Sequence, residues 1–197
     1  PFDYGWKIHE YEAMIKFFEP SAFIVEEREE TQNARDLIAE RLKPNRLLAI
    51  AANRTQHETA YEEAIAASVP DDPGVEVDGR DTFLIMITSG TTGFPKGCVI
   101  DHETYALRSL NNAISRGVDN RERGLLCLPL HFNAGRGSAM SILYLGGTVF
   151  LLEKFNEEKF LKIVEQEQIT YTILVPALGQ RLLRHPALKL VNKSSLT

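Results

Sequence analysis

The residues best suited to chemistry lie in one stretch, Ile87-Thr88-Ser89-Gly90-Thr91-Thr92-Gly93-Phe94-Pro95-Lys96-Gly97. Three glycines, four hydroxyls and one lysine follow directly on the apolar run 82–87. Glycine lets backbone N–H groups crowd around a polyanion, hydroxyls add short hydrogen bonds, and lysine brings a mobile positive charge to a phosphate. The same composition also fits a surface turn rich in small polar residues. It does not fit a Walker A loop, which needs Gly before the Lys and Ser or Thr after it. Here Pro95 precedes Lys96 and Gly97 follows, and Pro95 has no N–H to offer.

The order Thr88-Ser89-Gly90-Thr91-Thr92-Gly93-Phe94-Pro95-Lys96-Gly97 resembles the phosphate-loop signature of the AMP-forming adenylating enzymes, the superfamily of acyl-CoA synthetases and AMP-dependent ligases. Further stretches are similar to that family. Asp81 and His102 flank the loop strand and its return as the family's residues do. Leu128-Pro129-Leu130-His131-Phe132-Asn133-Ala134-Gly135 resembles the acyl-pocket segment. The stretch 145–155 resembles the next strand and turn, 169–176 the strand after that, and 1–25 an earlier segment.

The resemblance implies an α/β fold, a mostly parallel sheet flanked by helices, as part of the family's large N-terminal domain. It also implies a two-step reaction. A carboxylate attacks the α-phosphorus of ATP to give an acyl-adenylate and pyrophosphate, and a thiol, coenzyme A in the CoA ligases, then displaces AMP. By position, Thr88, Ser89, Gly90, Thr91, Thr92, Gly93 and Lys96 would bind the nucleotide. Lys96 and Thr88 would be the catalytic pair, and Thr88 would also meet Mg²⁺. His131, Phe132, Asn133 and Gly135 would line the substrate pocket. CoA ligases often carry His where Phe132 stands here, with His131 one residue earlier. Phe132 is therefore read as a gate and His131 as a histidine packed at a strand end.

The resemblance further implies an internal fragment. The family's adenine-binding motif, its ribose-binding aspartate and its C-terminal domain with a catalytic lysine have no counterpart in the sequence. The chain alone is then expected to fold, to form no adenylate, to bind ATP weakly, on the order of millimolar, and to self-associate. A complete, non-catalytic nucleotide- or phosphate-binding module is the alternative.

Weaker candidates surround these. Gly135-Arg136-Gly137-Ser138 fits half of a Gly-x-Gly-x-x-Gly pattern and reads as helix-start backbone in the pocket wall. Arg136 reads as a solvated arginine, with contact to a charged substrate tail as the alternative. Asp71-Asp72, Glu26-Glu27 and Glu29-Glu30 read as solvated surface. There is no Gly-x-Ser-x-Gly elbow and no Cys/His pair at metal spacing.

The elements that must hold these residues alternate along the chain. Helical spacing covers 8–18, with Ile8, Tyr11, Ile15 and Phe18 on one face and Pro20 beyond, then 31–42, with Ala34, Leu37, Ile38 and Leu42 inward, and 57–68. Apolar runs at 22–25, 47–51, 82–87, 98–100, 125–128, 148–152 and 170–175 read as strands. Asp101 caps a helix reaching to about 115, with Leu107, Leu110 and Ile114 on one face and Gly117 ending it. A helix is expected over 135–145, another after the cap Asn156, and a last one opened by Pro176. Strands that are continuous apolar runs separated by helices imply a parallel sheet covered on both faces. The polar stretch 69–80 is the best internal boundary. It separates 1–80, the N-terminal part of the α/β domain, from 81–197, which carries the phosphate loop and acyl pocket.

Composition bounds the rest. The chain has 197 residues, 44% of them hydrophobic and 25% charged, enough for a sizeable core and unlike a disordered or Cys-rich chain. Its net charge of -5 gives no basic field for nucleic acid. No apolar run approaches the roughly 20 residues a membrane-spanning helix needs. Cys98 and Cys127 lie in apolar segments and read as buried reduced thiols, which with the absence of a signal-peptide pattern points to the cytoplasm. An opening at Pro1 suggests a chain cut from a longer one or processed.

Overall fold

The computed structural model describes residues 2, 5–27, 31–41, 47–50, 58–88 and 96–196. They form two compact units, Phe2–Val75 and Glu76–Thr197.

The first unit carries α1 (Ile8–Phe18), β1 (Phe23–Glu26), α2 (Gln32–Arg41), β2 (Leu47–Ile50), β3 (Glu58–Ala60) and α3 (Tyr61–Ala67). The strands form a parallel sheet in the order β1-β2-β3. Its core joins Tyr11 and Ile15 of α1 to Val25, Ile38 and Leu47. Glu19 closes α1 in a left-handed conformation, φ 44°, just before Pro20. Strand β3 lies where helical spacing predicts the start of a helix. Glu58, Thr59 and Ala60 pair with Leu47, Leu48 and Ala49, a non-local contact that a local pattern cannot report.

The second unit contains β4 (Thr82–Thr88), β5 (Lys96–Asp101), α4 (His102–Arg116), β6 (Arg123–Leu126), α5 (Asn133–Tyr144), β7 (Thr148–Leu151), α6 (Glu157–Gln166), β8 (Tyr171–Ile173) and α7 (Pro176–Arg184). A short 3-10 helix, Pro186–Lys189, follows. Strands β6, β7 and β8 are parallel, in the order β7-β6-β8. Helices cover both faces. A Cβ on Gly124 of β6 would run into the Ile142 side chain of α5. The next residue, Leu125, instead joins Cys127, Phe160, Leu161, Val164 and Leu182 in a core with α6 and α7. Successive strand residues thus point to opposite helical layers.

Strands β4 and β5 form an antiparallel hairpin, a local departure from the parallel pattern. Ile85 and Val99 oppose each other on one of its faces, and Val99 is 61% exposed, whereas Ile100 on the other face is buried. Among the described residues this apolar run is therefore covered mainly on one side. The inward face of α4 also differs from the apolar pattern. Tyr105, Ser109 and Ala113 are buried, while Leu107 and Ile114 are 60% and 79% exposed. Helix α4 packs along α5, β4 and β5, and both helices turn small residues inward, which permits a close approach. Cys98 is exposed on β5, not buried, and Cys127 is buried as its segment suggests.

Helix ends follow their capping chemistry. Asn156 Oδ1 accepts from the Lys159 N–H at 2.9 Å at the start of α6, and Gly117 closes α4 with φ 67°. Asn156→Ala is expected to cost about 1 kcal/mol in denaturant unfolding of the chain. Asn156→Asp, which keeps an acceptor, is expected to cost much less.

Candidate functional site

Two regions of the second unit hold the residues singled out by their chemistry. The first is the distal end of the β4–β5 hairpin. The ladder runs from Thr82 opposite Asp101 to Thr88 opposite Lys96. Directly opposed residues in such a ladder lie about 5 Å apart at Cα. Among the described residues Thr88 and Lys96 are therefore the last pair of this ladder, on either side of residues 89–95 in the chain. Threonine suits a strand, and pairing carries both residues out of the loop in which composition would put them. Ser89, Gly90, Thr91, Thr92 and Gly93, with Phe94 and Pro95, lie outside the described residues. Lys96 is exposed.

Asp81 and His102 meet at the other end, where the His102 N–H donates to the Asp81 carbonyl at 3.2 Å. Six residues of strand separate them from Thr88, about 20 Å. They anchor the base of the hairpin and cannot share a phosphate with Lys96. Beside them Asp101 caps α4, accepting from the Thr104 N–H at 2.6 Å. Hydrogen bonds from the Thr104 side chain and then its backbone hold the Asp101 carboxyl below its usual range. A depressed folded pKa contributes stability above the unfolded value, and that contribution is lost as pH falls through the folded one. Thermal midpoints of the wild type and Asp101→Asn, compared at neutral pH and on acidification, are expected to converge at low pH.

The second region is the carboxyl end of β6, the central strand of its sheet. The chain leaves β6 for α5 and β7 on one side, and returns through α6 to β8 on the other. This is a topological switch point, where open parallel sheets bind ligands. The connecting loop ends at Phe132, the residue before α5, which is exposed. His131 is half-buried, its ring 4.2 Å from that of Phe132. Gly135 presses against the loop, and a Cβ there would meet the Leu128 carbonyl oxygen at 2.6 Å and that of Pro129 at 2.8 Å.

Arg136 is not the solvated arginine its sequence context suggests. Its Nη1 donates to the Leu130 carbonyl at 2.9 Å and the His131 carbonyl at 3.2 Å. Its Nε and Nη2 are buried, as is Asn133 Oδ1, and none of the three meets a hydrogen-bond partner among the described residues. Pattern reading undervalued this residue. Its signal was a basic side chain in the first turn of a helix, where the helix dipole already disfavours positive charge. Nearby, burial pushes the Cys127 thiol up, which leaves it a packing residue and a poor nucleophile.

The described residues contain no group of three His, Cys, Asp or Glu that could hold a metal ion. They also contain no helix long and apolar enough to cross a membrane.

Comparison with known proteins gives these two regions a context. The AMP-binding enzyme family matches residues 1–197, the whole chain. The chain belongs to that family. Relatives of this AMP-binding chain include a feruloyl-CoA synthase from Amycolatopsis sp, 35% identical over 149 residues, covering 75% of this chain and 30% of that protein. An indoleacetate–CoA ligase from Aromatoleum aromaticum is 34% identical over 141 residues, 70% of this chain and 27% of that one. The matched stretches thus cover less than a third of the length of these relatives. Among solved structures, an amide bond synthetase from Marinactinospora thermotolerans superposes with a TM-score of 0.74 at 30% identity, over 96% of this chain and 37% of its own. The N-terminal domain of FACL13 from Mycobacterium tuberculosis gives 0.78 at 22% identity, over 100% of this chain and 48% of that one, and bears on the fold alone. The mixed α/β architecture, with parallel sheets flanked by helices, is that of the N-terminal domains of acyl-CoA synthetases.

Proposed function

We propose that the chain forms the phosphate-loop and acyl-pocket part of a longer AMP-forming acid–thiol ligase, which converts a carboxylic acid and ATP to an acyl-adenylate and then to a CoA thioester. The observation that carries this reading is the pairing of Thr88 with Lys96 at the mouth of the Gly/Thr/Ser loop, in a chain matched throughout by the AMP-binding family.

In this reading a carboxylate oxygen attacks the α-phosphorus of ATP. The bond from that phosphorus to the bridging oxygen breaks, and the electron pair leaves with pyrophosphate. The chain needs no nucleophile of its own, in keeping with the raised pKa of the Cys127 thiol. Lys96, carried on a strand end, meets the charge that develops on pyrophosphate, and the hydroxyls and N–H groups of 88–93 hold the triphosphate. Threonine is a neutral oxygen donor, and among the described residues no group of three His, Cys, Asp or Glu could hold a metal ion. That donor set fits Mg²⁺ carried mainly on phosphate oxygens, with Thr88 as the ligand from this chain. Mg²⁺ would supply further neutralisation of the phosphates. His131, Phe132, Asn133 and Gly135 form the wall against which the acid lies, Phe132 as its exposed gate. The two unpaired cysteines fit a reducing, cytoplasmic setting. The described part by itself is expected to turn over no substrate, because adenine, ribose and carboxylate must be held in line with the phosphates.

The test is acid-dependent pyrophosphate release by the whole protein with a panel of fatty, cinnamic, arylacetic and amino acids. Mass spectrometry follows thioester formation when CoA is added. Release that needs an acid, with a matching thioester, is expected. ATP binding with no acid-dependent release would favour a non-catalytic nucleotide-binding module.

A further inference from the structure

We propose that the Nε–Nη2 edge of Arg136 receives a second carboxylate on the acid substrate, so that this chain selects diacids over monoacids. The inference rests on the adenylation reading and names the substrate class of that site. Arg136 is locked in place, since Nη1 donates to the carbonyls of Leu130 and His131 at 2.9 and 3.2 Å. That leaves Nε and Nη2, the two parallel N–H groups whose spacing matches the oxygens of a carboxylate. Both are buried and meet no acceptor among the described residues. Asn133 Oδ1, on the same turn of α5, is buried without a donor among them.

A purely packing role does not explain the charge. Burying an unpaired guanidinium edge is costly, and a Met or Leu would fill similar space without that cost. The position is also one where ligands bind, at the carboxyl end of the central strand of a parallel sheet. The carboxylate held there is not the one that reacts. Bidentate binding engages both its oxygens and lowers their nucleophilicity, whereas adenylation needs one oxygen free to attack phosphorus.

The experiment uses the whole protein. Pyrophosphate release is measured with succinic, adipic, suberic and 4-carboxycinnamic acids, each against its mono-amide, and with hexanoic and cinnamic acids. For the best-fitting length, kcat/KM is expected to favour the diacid over its mono-amide by roughly ten- to a hundredfold, the range for a hydrogen-bonded charge. Most of the difference is expected in KM. Arg136→Gln should bring the ratio to within about twofold, and Arg136→Lys should keep part of it, because a point charge lacks the fork. Equal use of diacid and mono-amide by the wild type, or an unchanged ratio in Arg136→Gln, overturns the inference. If Arg136→Gln does not fold by circular dichroism, the wild-type ratio and Arg136→Lys decide. Turnover of monoacids with no diacid preference sinks this inference alone. No release with any acid sinks the adenylation reading as well.

Discussion

Lys96→Ala is expected to slow adenylate formation in the whole protein by roughly a hundred- to a thousandfold, the cost of one donor aimed at developing charge, about 2.7–4 kcal/mol. Lys96 opens β5 directly opposite Thr88, so its Cα is placed by the ladder. In the proposed reaction charge would move onto the pyrophosphate as the bond to the α-phosphorus breaks, and the lysine would be worth more to that state than to bound ATP. The loss should therefore fall on kcat, with the KM for the acid within a few-fold of wild type. ATP–pyrophosphate exchange reads this step without the thiol. Undiminished exchange in Lys96→Ala would remove the residue from the mechanism.

The second large effect is expected at Gly135. An added methyl would lie 2.6 and 2.8 Å from two backbone carbonyl oxygens of the loop leaving β6, which cannot rotate aside as a side chain could. Gly135→Ala should lift the start of α5 off that loop, destabilising the chain by about 1–3 kcal/mol. Alanine's better helix propensity, at most about 1 kcal/mol, opposes this and does not reverse it. Gly137 is the internal control. A Cβ there would meet only Asn133 Oδ1, at 3.9 Å, so Gly137→Ala should be neutral or stabilising by up to about 1 kcal/mol. Denaturant unfolding of the two variants should show opposite signs. Gly135→Ala should also raise the KM for the acid in the whole protein far more than the KM for ATP.

Features set by local chemistry were legible in the sequence. Asp101 and Asn156 cap helices, Gly117 ends one and Pro176 begins one, because each acts on backbone groups within a turn of itself. The alternation of apolar runs and helices carried the α/β class. What the sequence hid was set by partners distant in the chain. Strand β6 starts at Arg123 and Gly124, which look like turn residues but pair with Thr148 and Val149 of β7. Tyr105, Ser109 and Ala113 turn inward on α4 because of what α4 packs against, while the more apolar Leu107 and Ile114 face outward. At the site, residue types and order pointed to Thr88 and Lys96, but the antiparallel register that sets them face to face is a tertiary fact. Arg136 was visible as a residue, but its buried Nε–Nη2 edge was not, since its Nη1 partners are backbone carbonyls, which carry no sequence signal.

In the function proposed above, ATP is used for transfer of its adenylyl group, not of its terminal phosphate. The most direct measurement is the identity of the nucleotide product when the whole protein is incubated with α-labelled ATP, Mg²⁺ and a carboxylic acid it accepts. Labelled AMP, equimolar pyrophosphate and no product without the acid are expected. Labelled ADP with inorganic phosphate would contradict it, and would make the Thr88–Lys96 hairpin part of a phosphate-transfer or hydrolysis site instead.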